Sequence, residues 1–149
     1  MDLPVFGEIP ADGRSLTPRR GAYALILKDG CFGAVEERPG VFFLPGGGIE
    51  AGEKPEQALV RELLEELGAG VNDLAPAGQA LQYFSTGAEN YRMLAYFYRV
   101  RIGAAKMQNA QFEMRWLQHD HTDRLFHKCH RWAVRRHSSR PGWINEQES

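Results

Sequence analysis

An α/β fold, with a mixed sheet between helices, is predicted for this 149-residue chain by three observations. Short apolar runs recur between Gly- and Asp-containing turns, one amphipathic stretch is bracketed by Pro55 and Gly68, and a second stretch of helical spacing closes the core region. Taken in order, residues 22–27 and 31–37 are apolar-rich runs joined by Lys28-Asp29-Gly30, which is hairpin punctuation, so they read as the first two strands. Residues 41–44 read as a short strand running into Gly46-Gly47-Gly48. Pro55 suits the first turn of a helix, where its missing N–H is not needed. Gly68 suits a left-handed C-terminal turn, so a helix is predicted over 55–67. Residues 79–86 and 91–102 are rich in aromatic and β-branched types around Gly87-Ala88-Glu89-Asn90, and predict a longer hairpin. Residues 113–117 predict a last strand. In 125–137, Leu125, Cys129, Trp132, Ala133 and Arg136 fall at helical spacing, as for a helix covering the other side of the sheet. Residues 1–20 and 138–149 are polar or Pro-rich and read as an N-terminal arm and a C-terminal tail around a single domain at 21–137, with Trp143-Ile144 available to attach the tail.

Composition narrows the class. The chain is 43% hydrophobic, and its 18 Lys plus Arg against 19 Asp plus Glu give a net charge of −1. That balance supplies no general attraction to nucleic acid or to an anionic membrane, so the expected partner is a small molecule. No apolar run is long enough to span a bilayer, and the N-terminus lacks a basic start followed by an apolar stretch. Two cysteines, Cys31 and Cys129, make no disulfide framework and read as reduced thiols in a cytoplasmic protein.

The predicted helix at 55–67 carries the chemistry. Leu59, Val60, Leu63, Leu64 and Leu67 are expected on one arc, and Glu62, Glu65 and Glu66 on the opposite one. Like charges three and four residues apart oppose helix formation by about 0.2–0.5 kcal/mol per pair, so a compensating cation is implied. A hard divalent ion with oxygen ligands fits, and Mg²⁺ usually takes one or two carboxylates together with substrate phosphate oxygens and water. Arg61, four residues before Glu65, is placed to hold that carboxylate. Upstream, the run of three glycines lets backbone come close to a ligand and offers carbonyls to a metal.

Gly47, Glu53, Arg61, Glu62, Leu63, Glu65, Glu66 and Gly68 stand in the pattern G-x5-E-x7-R-E-U-x-E-E-x-G-U, with only the last apolar position reduced to Ala69. This resembles the signature of the Nudix hydrolases. The resemblance implies an α/β/α sandwich with a mixed β-sheet and hydrolysis of a nucleoside diphosphate linked to another group. Mg²⁺ or Mn²⁺ would be held by Glu62, Glu65 and Glu66, with backbone ligation near Gly46 and Gly47 and with Glu53 beside the metal site. Family members differ in which carboxylate activates water. Glu62 is one candidate; Glu113, the only carboxylate between Tyr91 and Trp116, is another, since many Nudix enzymes place an extra Glu at this stage of the chain. The short chain leans toward a nucleoside triphosphate pyrophosphohydrolase of the mutator type. Dinucleoside polyphosphates, nucleotide sugars and inositol pyrophosphates are the alternatives, with a non-catalytic nucleotide-binding module further away because no signature carboxylate is missing. Many Nudix proteins pair as homodimers, although no self-complementary patch is visible in this sequence.

Three weaker features complete the reading. His127, Cys129 and His130 are too few for a closed zinc site. Lys128, Arg131, Arg135, Arg136 and Arg140 make the last helix basic, either as a solvated face or as an aid to a polyanionic substrate, and Arg19 and Arg20 carry the same ambiguity. Aromatic residues, among them Phe43, Phe84 and Tyr91, exceed what sheet packing needs and offer stacking surface for a base.

Overall fold

The computed structural model describes residues 3–103 and 110–137. In chain order the strands are β1 (Val5–Phe6), β2 (Leu16–Leu25), β3 (Leu27–Lys28), β4 (Cys31–Arg38), β5 (Val41–Phe43), β6 (Gly46–Gly48), β7 (Gly70–Ser85), β8 (Asn90–Gly103) and β9 (Arg115–Gln118). The helices are α1 (Pro55–Leu67) and α2 (Lys128–His137), with a 3₁₀ turn at Thr122–Arg124.

Side-chain alternation in β2 sets the layers. Ala22 and Ala24 face α1, where they pack with Leu59, Leu63, Tyr98 and Val100. Leu25 faces α2 and shares a core with Met93, Ala95, Phe97, Leu125, Cys129, Ala133 and Val134. A period of two along the strand thus feeds two cores, one on each face of the sheet. The main sheet runs β1-β7-β8-β2-β6 and is mixed: β2 pairs with β8 and β1 with β7 in parallel, while β7–β8 and β2–β6 are antiparallel. A second sheet has β4 between β3 and β5, with β9 also on β4. The α/β/α sandwich expected from the sequence is the observed fold.

Helix α1 begins and ends where the sequence predicts. Pro55 follows the N-cap Lys54, whose N–H donates to the Gln57 side chain at 2.9 Å. Gly68 adopts φ 64°, and its N–H and that of Ala69 close onto the carbonyls of Leu64 and Leu63.

Three boundaries differ. Leu16–Arg20, assigned by sequence to the N-terminal arm, form the first half of β2, paired with Asn90–Leu94, and Val5–Phe6 pair with Leu81 and Gln82. Strand β7 starts at Gly70 rather than at 79, and register shifts at Val71/Asp73 and Pro76/Gly78 accommodate residues that read as a loop. Helix α2 starts at Lys128, because Leu125 is extended (φ −73°, ψ 134°) and bridges Phe42. The tail at 138–149 lies outside the described residues. No described helix is long and apolar enough to cross a membrane.

Candidate active site

Glu66 does not stand on the solvent face of α1. At 100° per residue it lies about 20° from Leu59 around the helix, on the packed arc. Only 8% of its surface is exposed, whereas Val60 and Leu64, expected inside, are 41% and 37% exposed. One Glu66 oxygen, Oε1, accepts the Gly46 N–H at 2.8 Å. Burial outweighs that hydrogen bond and, with repulsion from Glu62, Glu37 and Glu65, pushes the Glu66 carboxyl up to about 8.

Glu62 meets the next glycine. A Cβ on Gly47 would sit 2.6 Å from the Glu62 Cδ, so the carboxylate occupies space that only glycine leaves open. Burial also raises the Glu62 carboxyl, although Arg61 acts in the opposite direction. Gly46 itself has φ +140°, and a Cβ there would run into the Ala22 carbonyl where β6 lies against β2. The glycines therefore serve different needs: Gly46 brings the backbone against β2, and Gly47 makes room for Glu62.

Arg61 gathers the remaining acids. Its Nε and Nη2 donate to Glu53 at 2.8 Å each, Nη1 donates to Glu62 at 3.1 Å and Glu65 at 3.3 Å, and Nη2 also donates to the Gly48 carbonyl at 3.0 Å. Hydrogen bonding from Arg61 holds the Glu53 carboxyl down to about 2. Glu53 is therefore an anchor for Arg61, and Oε1 also accepts the Glu50 N–H.

The three helix carboxylates do not form a ready cage. Among the described residues no group of three or more His, Cys, Asp or Glu converges on a metal position. Glu62 and Glu65 both contact Arg61, while Glu66 contacts the Gly46 N–H. The donor set nevertheless fits a hard divalent ion. Two half-buried or buried carboxyl groups, whose anionic form burial disfavours and a bound cation would favour, flank the Gly46–Gly47 backbone, and such an ion needs only one or two protein carboxylates when phosphate and water fill the rest.

A cavity of about 430 Å³ opens beside this pair. Gly46, Gly47, Gly48 and Glu66 line one part of it; Phe43, Phe84, Phe126 and His127 line another; Arg19, Glu37 and Arg38 are also in the wall. Phe43 and Phe126 approach to 5.4 Å, Phe84 stacks on Tyr91 at 4.9 Å, and Arg19 lies over Tyr91 at 5.5 Å. His127 contacts all three phenylalanines of the cavity, and burial lowers its imidazole to about 4, so it is neutral at pH 7. The neighbouring His130 is fully buried and accepts the Leu44 N–H at Nδ1, 3.2 Å away. The two rings are 5.1 Å apart in an aromatic setting rather than a zinc site.

The other sequence-predicted residues distribute differently. Glu113 is exposed and lines a separate cavity with Leu67, Ala69, Ile102 and Phe112, not the one that Glu66 lines. What that segment supplies is backbone: the N–H groups of Gln111 and Phe112 cap the carbonyls of Glu65 and Glu66 at 3.2 and 2.7 Å. The carboxylate that does share the cavity with Glu66 is Glu37, which sequence reasoning missed. Burial raises its affinity for a proton, with Arg38 and Arg19 opposing, and a register shift between Glu36 and Arg38 marks its place in β4. No motif surrounds it; only the tertiary placement of the β4–β5 hairpin reveals it. The basic residues of α2 line another groove, so they do not reach this cavity, and Arg140 lies outside the described residues. Arg19 does reach it, whereas Arg20 lines a third cavity.

Comparison with known proteins agrees with this geometry. A profile of the NUDIX domain matches residues 16–138. The nucleoside triphosphatase NudI of Salmonella heidelberg is 45% identical over a stretch covering 35% of this chain and 43% of that protein, and its counterpart in Salmonella arizonae is 43% identical over the same shares. The chain thus spans less than half the length of these curated relatives. In fold, it is similar to a NUDIX hydrolase from Nitrosomonas europaea (TM-score 0.64, 20% identity, 80% of this chain and 87% of that one) and to the MutT protein of Bacillus halodurans (TM-score 0.66, 16% identity, 82% and 83%). With the profile covering most of its length and the signature carboxylates set around Gly46 and Gly47, this chain belongs to the Nudix hydrolase family.

Proposed function

We propose that this protein hydrolyses a nucleoside triphosphate to a nucleoside monophosphate and pyrophosphate, in a reaction that depends on Mg²⁺ or Mn²⁺. The observation that carries the reading is the convergence of Glu62 and Glu66 on the Gly46–Gly47 backbone, beside a cavity that Glu66 and these glycines line together with aromatic and charged residues. Glu62 and Glu66, with Glu65 after release from Arg61, would hold the ion, which supplies water acidification and neutralises charge on the pyrophosphate oxygens. Arg61 positions Glu62 and Glu65 by its grip on Glu53. Phe43, Phe84 and Phe126 offer ring faces to a base, and neutral His127 offers a ring nitrogen to a polar base edge. Arg19 and Arg38 bring positive charge to the same cavity. Glu37, rather than Glu113, is the accessory acid in this reading, taking a proton at its carboxylate on the cavity side. The unpaired thiols Cys31 and Cys129 support a reducing compartment, the cytoplasm.

The test is hydrolysis of a panel of nucleoside triphosphates, diadenosine polyphosphates, nucleotide sugars and an inositol pyrophosphate with Mg²⁺ and with Mn²⁺, products being separated by anion exchange. Monophosphate plus pyrophosphate from a triphosphate, lost by orders of magnitude in Glu66→Gln with circular dichroism unchanged, is the expected result. Tight nucleotide binding without turnover of any compound would replace the reading with a nucleotide-sensing module.

A further inference from the structure

A net charge of −1 conceals a strong segregation of charge. The outer side of α2 presents Lys128, Arg131, Arg135 and Arg136 around a groove of about 570 Å³ whose remaining walls are Phe6 and Trp132. No acid occurs in α2, and none of these four cations has a carboxylate partner among the described residues. Outside α2, Arg14, Arg61, Arg101 and Arg115 each pair with Asp or Glu.

The α2 guanidinium groups are nonetheless held in place. Arg131 Nε donates to the Leu125 carbonyl and Arg135 Nε to Thr122 Oγ1, both at 2.8 Å, while Arg136 lies over the Trp132 ring at 5.3 Å. Fixing Nε on a neutral acceptor orients the two terminal nitrogens and leaves the charge uncompensated. Helix electrostatics explain part of this, since cations at the C-terminal turn are favourable. They do not explain Lys128, which stands in the first turn, where positive charge is unfavourable and no acid balances it.

We infer that this groove binds single-stranded nucleic acid through its phosphodiester backbone. Lys128, Arg131 and Arg135 are separated along the helix axis by about 4.5 and 6 Å, so they form a row for consecutive phosphates. A positive groove tracking the backbone beside aromatic rings is how sequence-tolerant single-strand binders work, and Arg is the side chain suited to forked contacts with phosphate. An acidic polypeptide would use the charges without the rings. The groove shares no lining residue with the reaction cavity, although His127 lines that cavity and Lys128 the groove, so the two sites meet at the start of α2.

The experiment is fluorescence anisotropy of a labelled oligo-dT with the full chain, in chelator to prevent hydrolysis, over a salt series. Binding at 50 mM salt is expected, with a slope of log affinity against log salt near −3, about −0.7 for each of four cations. Arg131→Gln/Arg135→Gln should weaken binding by about tenfold or more and make the slope shallower by about 1.4. Lys128→Gln, which removes a side chain with no hydrogen bond or ion pair among the described residues, should lower the slope by about 0.7 and serves if the double variant does not fold. Hydrolysis of free nucleotide should be unchanged in both. Absence of binding at 50 mM salt, affinity unaffected by the substitutions, or equal displacement of the oligonucleotide by polyglutamate at matched charge would overturn the assignment, the last in favour of an acidic polypeptide.

Discussion

Arg61 grips Glu53 by both carboxylate oxygens, Nε to Oε2 and Nη2 to Oε1, each at 2.8 Å. The planar fork also leaves Nη1 free for Glu62 and Glu65, so one side chain orients acids from the loop and from two turns of α1. Lysine has the charge but not the fork. Arg61→Lys is expected to keep the fold and lower metal affinity by about 10–100-fold, as is usual when a group that orients metal ligands is lost. Titration of Mn²⁺ by calorimetry, with thermal melts as the control, checks it; unchanged affinity would remove Arg61 from the positioning role.

Adjacent glycines should respond oppositely to alanine. Gly46→Ala places a side chain at φ +140° against the Ala22 carbonyl and should destabilise the protein by about 2 kcal/mol or more. Gly47→Ala meets first the far end of the Glu62 side chain, so stability should change little while turnover falls with the displaced carboxylate. Urea denaturation and steady-state turnover on the two variants decide between this division and a shared structural role.

Two carboxylates far apart in sequence should trade their expected importance. Glu37→Gln removes the acid that shares the cavity with Glu66 and should lower kcat by about 100-fold or more. Glu113→Gln, on an exposed side chain beside a different cavity, should leave kcat within about twofold. The reverse pattern in a turnover assay would return the role to Glu113.

Acid should destabilise the protein through His127. Its imidazole is lowered from 6.5 to about 4 by burial first and by Arg19 second, and His130 packs against it. Below pH 6.5 the unfolded chain takes up a proton that the folded one refuses, so this contribution is whole above 6.5 and is lost as pH falls toward 4. Between pH 7 and pH 4 the wild type should lose about 3 kcal/mol relative to His127→Gln. Urea denaturation of both proteins across that range isolates the effect from other titrating groups, and parallel curves would contradict it.

Legibility followed how local the cause was. The bounds of α1 were readable because Pro55 and Gly68 act through their own backbone, and the family was readable because the signature spacing lies within one helix and the loop before it. The inward turn of Glu66 follows from its place about 20° from Leu59 around the helix, whereas the Gly46 N–H that donates to its carboxylate is supplied by tertiary placement. Residues 70–78, with Asp73, Pro76 and Gly78, look like a loop, and only the long partner β8 makes them strand. Leu16–Arg20 likewise become strand through a partner more than 70 residues away. Glu37 and Glu113 are indistinguishable as isolated acids, and the tertiary path of the chain separates them.

The parallel pairing of β2 with β8 carries a consequence for the order in which this protein assembles. The β7–β8 hairpin joins neighbours in sequence, with Ser85 opposite Asn90, whereas Leu16 must find Asn90 across most of the intervening chain. Closing a loop of that length is entropically costly and belongs late in folding, after the hairpin and α1 can form from local contacts. Arg19 and Tyr23 enter the reaction cavity on β2, opposite Met93 and Phe97 of β8. A chain halted before that closure would carry the signature helix complete in its local contacts and lack the β2 wall of the cavity that Glu66 lines.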